Sequence, residues 1–271
     1  MANLVIAEQL FNSRLWLGSS LYPSPTVMLE AFAGARPGVV TLSLRRQTAG
    51  ELHSNDYWQV LKNWAVNNNV LLLPNTAGCH SAKEAILLAH MARELFSTPW
   101  IKLEVIGDEQ TLQPHPFELV RAAEQLVKDG FNVLPYCTDD LILCRELLAV
   151  GCPAVMPWAA PIGTGKGLLN RYQLQNLRQR LPDAVLIIDA GIGKPSQAME
   201  AMELGFDGVL LNTAVARAID PVAMAQAFKA AVEGGRTAWQ AGLMVERSAA
   251  APSTPSWGLP FGGQPPREDT L

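Results

Sequence analysis

Charge and aromatic rings are both scarce in this chain: 17% of its 271 residues are charged and 7% are aromatic. With a formal net charge of −4 and no basic run, it lacks the electrostatic footprint of a nucleic-acid binder. The four cysteines, Cys79, Cys137, Cys144 and Cys152, form no CxxC pair and no zinc-type spacing. A chain of this length buries a core without covalent staples, so reduced thiols in a cytoplasmic setting are expected. His53, His80, His90 and His115 show no HxxxH pair and no neighbouring carboxylate cluster, so each reads as a surface or helix residue and no metal is expected. No uncharged apolar run reaches membrane-spanning length. The opening Met1-Ala-Asn-Leu-Val-Ile-Ala-Glu8 lacks the cationic start and apolar length of a signal peptide.

What the chain does have is rhythm. Short apolar or β-branched runs at 15–19, 39–44, 70–74, 100–105, 132–136, 153–157, 184–189 and 208–212 alternate with helical patterns such as 81–96, 116–129, 139–150, 168–180 and 195–204. Eight strands, each followed by a helix, imply a parallel sheet, and eight such units close into a barrel. The expected fold class is therefore α/β, a (β/α)8 TIM barrel in a single domain over residues 1–247. A glycine recurs at the joint between a helix and the next strand, at Gly130, Gly151 and Gly205, where a left-handed residue ends a helix without a Cβ clash. Trp58 and Trp64 are expected to pack a helix face, and a last helix at about 221–233 to pack on the barrel. From residue 248 to 271 the composition turns to Ala, Pro, Ser and Gly, which reads as a flexible, partly disordered tail rather than a domain; Trp257 and Phe261 are its candidate anchors.

Active sites of such barrels form at the C-terminal ends of the strands. The fourth strand reads Trp100-Ile-Lys-Leu-Glu-Val105, and its alternation puts Lys102 and Glu104 on one face and three aliphatic residues on the other. Helices cover the outer face, so Ile101, Leu103 and Val105 belong outside and the charged pair points into the barrel. Desolvation favours a neutral amine, which is what attack on a carbonyl needs. Glu104 complicates this: either the two side chains do not touch, or the carboxyl shuttles protons with a raised pKa. A structural Lys–Glu pair is the alternative. Asp189 ends the seventh apolar run ahead of a glycine loop, the place for a catalytic carboxylate or for a helix cap. Gly191 and Gly193 leave backbone amides free to turn toward an anion, and the helix from Pro195 would offer its N-terminus to the same site. Asn212 and Thr213 follow strand eight, where these barrels commonly bind phosphate. The loop Ala160-Pro-Ile-Gly-Thr-Gly-Lys-Gly167 is glycine-rich but is no Walker loop, so a small phosphorylated substrate is favoured over a nucleotide.

With these residues in view, the chain resembles bacterial thiazole synthases from Phe11 to about Gly258. The resemblance is carried by Leu73-Pro-Asn-Thr-Ala-Gly78, Trp100-Ile-Lys-Leu-Glu-Val105, Val133-Leu-Pro-Tyr-Cys137, Ala154-Val-Met-Pro157, Ala160-Pro-Ile-Gly163, Asp189-Ala-Gly-Ile-Gly193 and Leu211-Asn-Thr-Ala214. It implies that Lys102 forms an imine with the ketone of 1-deoxy-D-xylulose 5-phosphate and that Glu104 and Asp189 are the acid/base groups. It also implies that Gly163, Ala190, Gly191, Asn212 and Thr213 bind the substrate and its phosphate. The implied partners are a ubiquitin-like sulfur carrier ending in a thiocarboxylate, a separate enzyme that supplies dehydroglycine, and further copies of the chain in a dimer or tetramer. No cofactor is implied. Two places depart from the family pattern: Gly18-Ser-Ser-Leu21, where a Gly-Thr-Gly-Lys run is expected, and Trp158-Ala159, where smaller or aliphatic residues are expected. The Ser/Pro/Gly tail matches one that could cover the site. A class I aldolase-like barrel would need the same lysine and phosphate site, and a non-catalytic docking barrel would need neither.

Overall fold

The computed structural model describes residues 4–44, 54–251 and 253–254. In chain order the elements are β1 (Leu4–Ile6), β2 (Gln9–Phe11), β3 (Leu15–Gly18), α1 (Pro25–Ala35), β4 (Val39–Ser43), α2 (Ser54–Asn68), β5 (Leu71–Asn75), α3 (Ala82–Phe96) and β6 (Trp100–Leu103). They continue with α4 (Pro116–Lys128), β7 (Asn132–Cys137), α5 (Leu141–Ala149), β8 (Met156–Pro157), α6 (Arg171–Arg180), β9 (Ile187–Asp189), α7 (Pro195–Glu203), β10 (Gly208–Leu211), α8 (Thr213–Ala216) and α9 (Pro221–Ala241).

Strands β3 to β10 form one parallel sheet in the order β8-β7-β6-β5-β4-β3-β10-β9. The two ends of that order meet: Val155 bridges Leu186 in parallel, and the Ile187 amide donates to the Val155 carbonyl at 3.1 Å. The sheet is thus an eight-stranded (β/α)8 barrel, as the alternation of runs implied.

Two apolar clusters explain why it closes. One lies between strands and helices and takes the outward residues, Ile101, Leu103 and Val105 of the fourth strand among them. The other fills the barrel with Trp16, Val39, Leu73, Trp100, Leu134, Met156 and Ile187. Leu4, Ile6 and Phe11 belong to this inner cluster, and the Phe11 ring lies 5.6 Å from that of Trp16 and 5.8 Å from that of Trp100. The β1–β2 hairpin therefore plugs the N-terminal end of the barrel and leaves the other end for polar residues. Removing a buried ring such as Trp16, fully inaccessible, would cost about 3–5 kcal/mol.

Gly130, Gly151 and Gly205 take φ of +81°, +103° and +90°, the left-handed turn expected at the helix-to-strand joints. Trp58 meets Phe96 at 5.0 Å and Trp64 meets Phe32 at 5.4 Å between ring centres, so both pack helix faces. His115 caps α4 by accepting from the Glu118 amide, and His90 pairs with Asp129 at 2.9 Å; His53 lies outside the described residues. All four cysteines are buried, and no disulfide joins them among the described residues.

Two expectations about elements need correction. The helix 168–180 starts only at Arg171, because Asn170 caps it by accepting from the Gln173 amide. The final helix runs to Ala241 rather than about residue 233. Its Gly234-Gly235 pair allows close packing: a Cβ on Gly235 would lie 2.5 Å from the Met199 carbonyl of α7. The β1–β2 hairpin was not foreseen at all. The chain divides into a unit of Met1–Ala241 and one of Gly242–Leu271, a division that falls where α9 ends. The described residues of the second unit are exposed and carry no helix or strand; Trp257 and Phe261 lie outside them.

Candidate active site

Lys102 on β6 and Glu104, just past the end of that strand at Leu103, both face the barrel interior, while β9 ends with Asp189 on the same floor. All three are buried, with 5%, 5% and 3% of their surfaces accessible. The Lys102 Nζ lies 2.7 Å from Asp189 Oδ2 and 3.1 Å from Glu104 Oε1. Apart from that ion pair, the buried Asp189 Oδ2 has no hydrogen-bond partner among the described residues. The Tyr136 ring, inward on β7, lies with its centre 5.6 Å from the same nitrogen.

The electrostatics overturn one expectation. Burial pulls the lysine pKa down, but Asp189 and then Glu104 more than reverse this, so the free site holds an ammonium well above the usual lysine range. The idea of a resting neutral amine considered desolvation and left out the second carboxylate, which the sequence could not place. Burial pushes the Asp189 carboxyl up to about 6, with Lys102 opposing the rise and Glu104 adding to it. The Tyr136 phenol is raised above its usual range by burial, then by Asp189 and Glu104.

Above this floor opens a cavity of about 340 Å³, a volume suited to a small molecule. Its walls are the loops that leave the strands: Gly163 and Gly165 after β8, Ala190 to Gly193 after β9, and Asn212, Thr213 and Ala214 after β10. Every residue proposed from the sequence as catalytic or substrate-binding lines it. Ala190 holds φ at +73°, a strained value for a residue with a Cβ, and Gly191 follows at +80°. That pair bends the loop sharply over Asp189. The short helix α8 starts at Thr213, so its first amides have no partner within the helix. The N-terminus of α7 is less open than expected, since Gln197 Oε1 accepts from the amides of Gly193 and Lys194 at 2.8 and 3.0 Å.

Sequence reasoning missed several residues here. Ser20 accepts from Asn212 Nδ2 at 2.6 Å, which leaves Asn212 Oδ1 buried and without a hydrogen-bond partner among the described residues. Asn75 reaches the cavity as the register partner of Lys102. Asn75 ends β5 and Ser20 lies two residues past β3, each in phase with the inward residues of its strand, a signal that period-two reading could have supplied. At the two departures, Leu21 stands on the cavity lip at φ +71°, and Trp158 is tied by its Nε1 to Asp139 at 2.9 Å.

Together the fold and this floor define a (β/α)8 barrel whose polar site lies at the C-terminal ends of its strands. The thiazole biosynthesis protein ThiG family model matches residues 5–255, and the chain belongs to that family. Its relatives include thiazole synthases of Paracidovorax citrulli, 59% identical over 95% of this chain and 94% of the relative, and of Neisseria gonorrhoeae, 57% identical over 95% and 97%. Among solved structures, a chain of the Amycolatopsis orientalis BexX/CysO complex superposes with a TM-score of 0.80 at 27% identity, covering 91% of this chain and 98% of that one. The thiamine phosphate pyrophosphorylase of Pyrococcus furiosus shares the fold alone, with a TM-score of 0.57 at 14% identity over 82% and 96% of the two chains. The chain is accordingly an enzyme of thiamin biosynthesis, of the thiazole synthase kind.

Proposed function

We propose that this enzyme builds thiazole phosphate carboxylate from 1-deoxy-D-xylulose 5-phosphate, dehydroglycine and the sulfur of a carrier-protein thiocarboxylate, through an imine on Lys102. The observation that carries this reading is the Lys102 amine, clasped by Asp189 and Glu104 at 2.7 and 3.1 Å on the floor of the cavity. A structural ion pair would need one carboxylate; two leave a group free to take the lysine proton when a ketone arrives.

The amine attacks the ketone, water leaves, and the resulting iminium draws electrons from the adjacent C–H bond. A carboxylate takes that proton and returns it along the chain, which shifts the carbonyl. Asp189, raised to about 6, is tuned to trade protons close to neutral pH, while Glu104 remains beside the nitrogen. The thiocarboxylate sulfur then adds to the shifted carbonyl, and acyl transfer to the new oxygen breaks the carrier's C–S bond and releases the carrier as a carboxylate. Condensation with dehydroglycine loses water, closes the ring and frees the lysine. Gly163, Ala190, Gly191, Asn212 and Thr213, which line the cavity, hold the sugar phosphate. No further cofactor takes part. The likeness to a chain solved in a complex of two proteins supports a protein partner as sulfur donor. Work in the cytoplasm as a dimer or tetramer fits the family.

The test is reconstitution with all three reactants. The expected product is the thiazole, with none when the thiocarboxylate is omitted. Cleavage of the sugar phosphate into two fragments without a sulfur donor would instead favour an aldolase. A barrel that neither turns over nor gains a sugar adduct would be a docking scaffold.

A further inference from the structure

Strands β5 and β6 share a single ladder pair, Asn75 opposite Lys102. Beyond it the strands part, yet the two residues that matter most on β6 and its extension lie at that end. Thr76 fills the gap. Its amide donates to the Lys102 carbonyl at 3.1 Å. Its hydroxyl accepts from the Glu104 amide and donates to the Glu104 carbonyl, both at 2.8 Å. The residue is fully inaccessible to solvent. A side-chain hydroxyl therefore supplies both halves of a rung that the backbone no longer makes, satisfying a buried donor and acceptor where water does not reach. An aliphatic residue of the same shape would fit the space and leave both Glu104 groups orphaned.

We infer that Thr76 is a positioning residue of the site, one that fixes the backbone of Glu104 and so holds its carboxylate beside Lys102. This rests on the lysine-centred reading above. Lys102 faces Glu104 from its own segment, Asp189 from β9 and the Tyr136 ring from β7, so a displaced Glu104 leaves Asp189 as its one close carboxylate among the described residues. The amine then gives up its proton more readily. Thr76 touches neither substrate nor the reacting atoms; it acts through Glu104.

The experiment is a cycle of Thr76→Val, Thr76→Ser, Glu104→Gln and the Thr76→Val/Glu104→Gln pair in the full chain. The readout is the rate at which acetic anhydride labels Lys102 between pH 7 and 9, followed by peptide mass spectrometry. Glu104→Gln is expected to speed labelling about tenfold, as loss of a carboxylate contact shifts a lysine by about one pH unit or more. Thr76→Val should speed it severalfold, the double variant no further than Glu104→Gln alone, and Thr76→Ser should match the unaltered protein. A Thr76→Val rate equal to the unaltered one overturns the proposal. So does a Thr76→Val factor of the same size in both backgrounds, which is what general loosening would give. Trapping of the sugar phosphate with borohydride is measured separately: its failure would remove the imine while leaving the labelling cycle readable.

Discussion

Gly191 offers a sharp perturbation, because its neighbour Gly163 provides a control in the same cavity wall. A Cβ built on Gly191 would fall 2.3 Å from the Ala160 amide nitrogen and 2.5 Å from the Ala160 Cβ, at a φ of +80°. Backbone is the obstacle, so one of the two loops must move. The left-handed conformation costs a residue with a Cβ about 1–2 kcal/mol, and forced overpacking about 1–3 kcal/mol more. Gly191→Ala should therefore lose roughly 2–5 kcal/mol, about 4–20 °C in Tm for a domain of this size. It should also abolish binding of the sugar phosphate, since the loop over Asp189 is displaced. Gly163 has φ +76° but nothing within 4 Å of an added Cβ. Gly163→Ala should cost only the conformational part, about 1–2 kcal/mol. Thermal melts and calorimetric titration with 1-deoxy-D-xylulose 5-phosphate on the two variants make the comparison. Equal losses in both, or a Gly191→Ala chain that binds and melts like the unaltered one, would refute the steric reasoning.

Two further outcomes follow from charge. With its pKa raised to about 6, Asp189 is ionised above that value and protonated below it, so kcat/KM should fall as pH drops through about 6 and Asp189→Asn should lose that limb along with most activity. On the opposite end of the barrel, Asp207 carries Arg178 at 3.0 Å, Arg14 at 3.7 Å and Arg236 at 3.8 Å, and accepts from the Leu186 amide at 3.1 Å. Asp207→Ala would leave three largely buried guanidiniums without their carboxylate, a loss of about 3 kcal/mol in a urea melt with little change in the pH profile of turnover.

The barrel was legible because its strands obey a strict inside–outside code, and the run from Trp100 to Val105 shows it plainly. Each aliphatic residue there lies in the outer cluster, and Trp100 lies in the inner one. The hairpin β1–β2 was not legible because its turn is made by Ala7 and Glu8 at φ +44° and +64°, without the glycine or asparagine that marks such turns. Period-two reading likewise put Lys102 and Glu104 on one face, but it speaks only of neighbours on one strand. Asp189 comes from a strand 87 residues further on, and its contact with Lys102 decides the charge of the amine. The clamp made by Thr76 was hidden for the same reason, since a hydroxyl that completes a ladder looks in sequence like any loop threonine.

The most direct test of the lysine-centred account is to add 1-deoxy-D-xylulose 5-phosphate to the enzyme, reduce with borohydride and map the adduct by peptide mass spectrometry. The expected result is one reduced sugar phosphate per chain on Lys102, absent from Lys102→Ala. An adduct that persists in Lys102→Ala, or none in the unaltered enzyme, would contradict it.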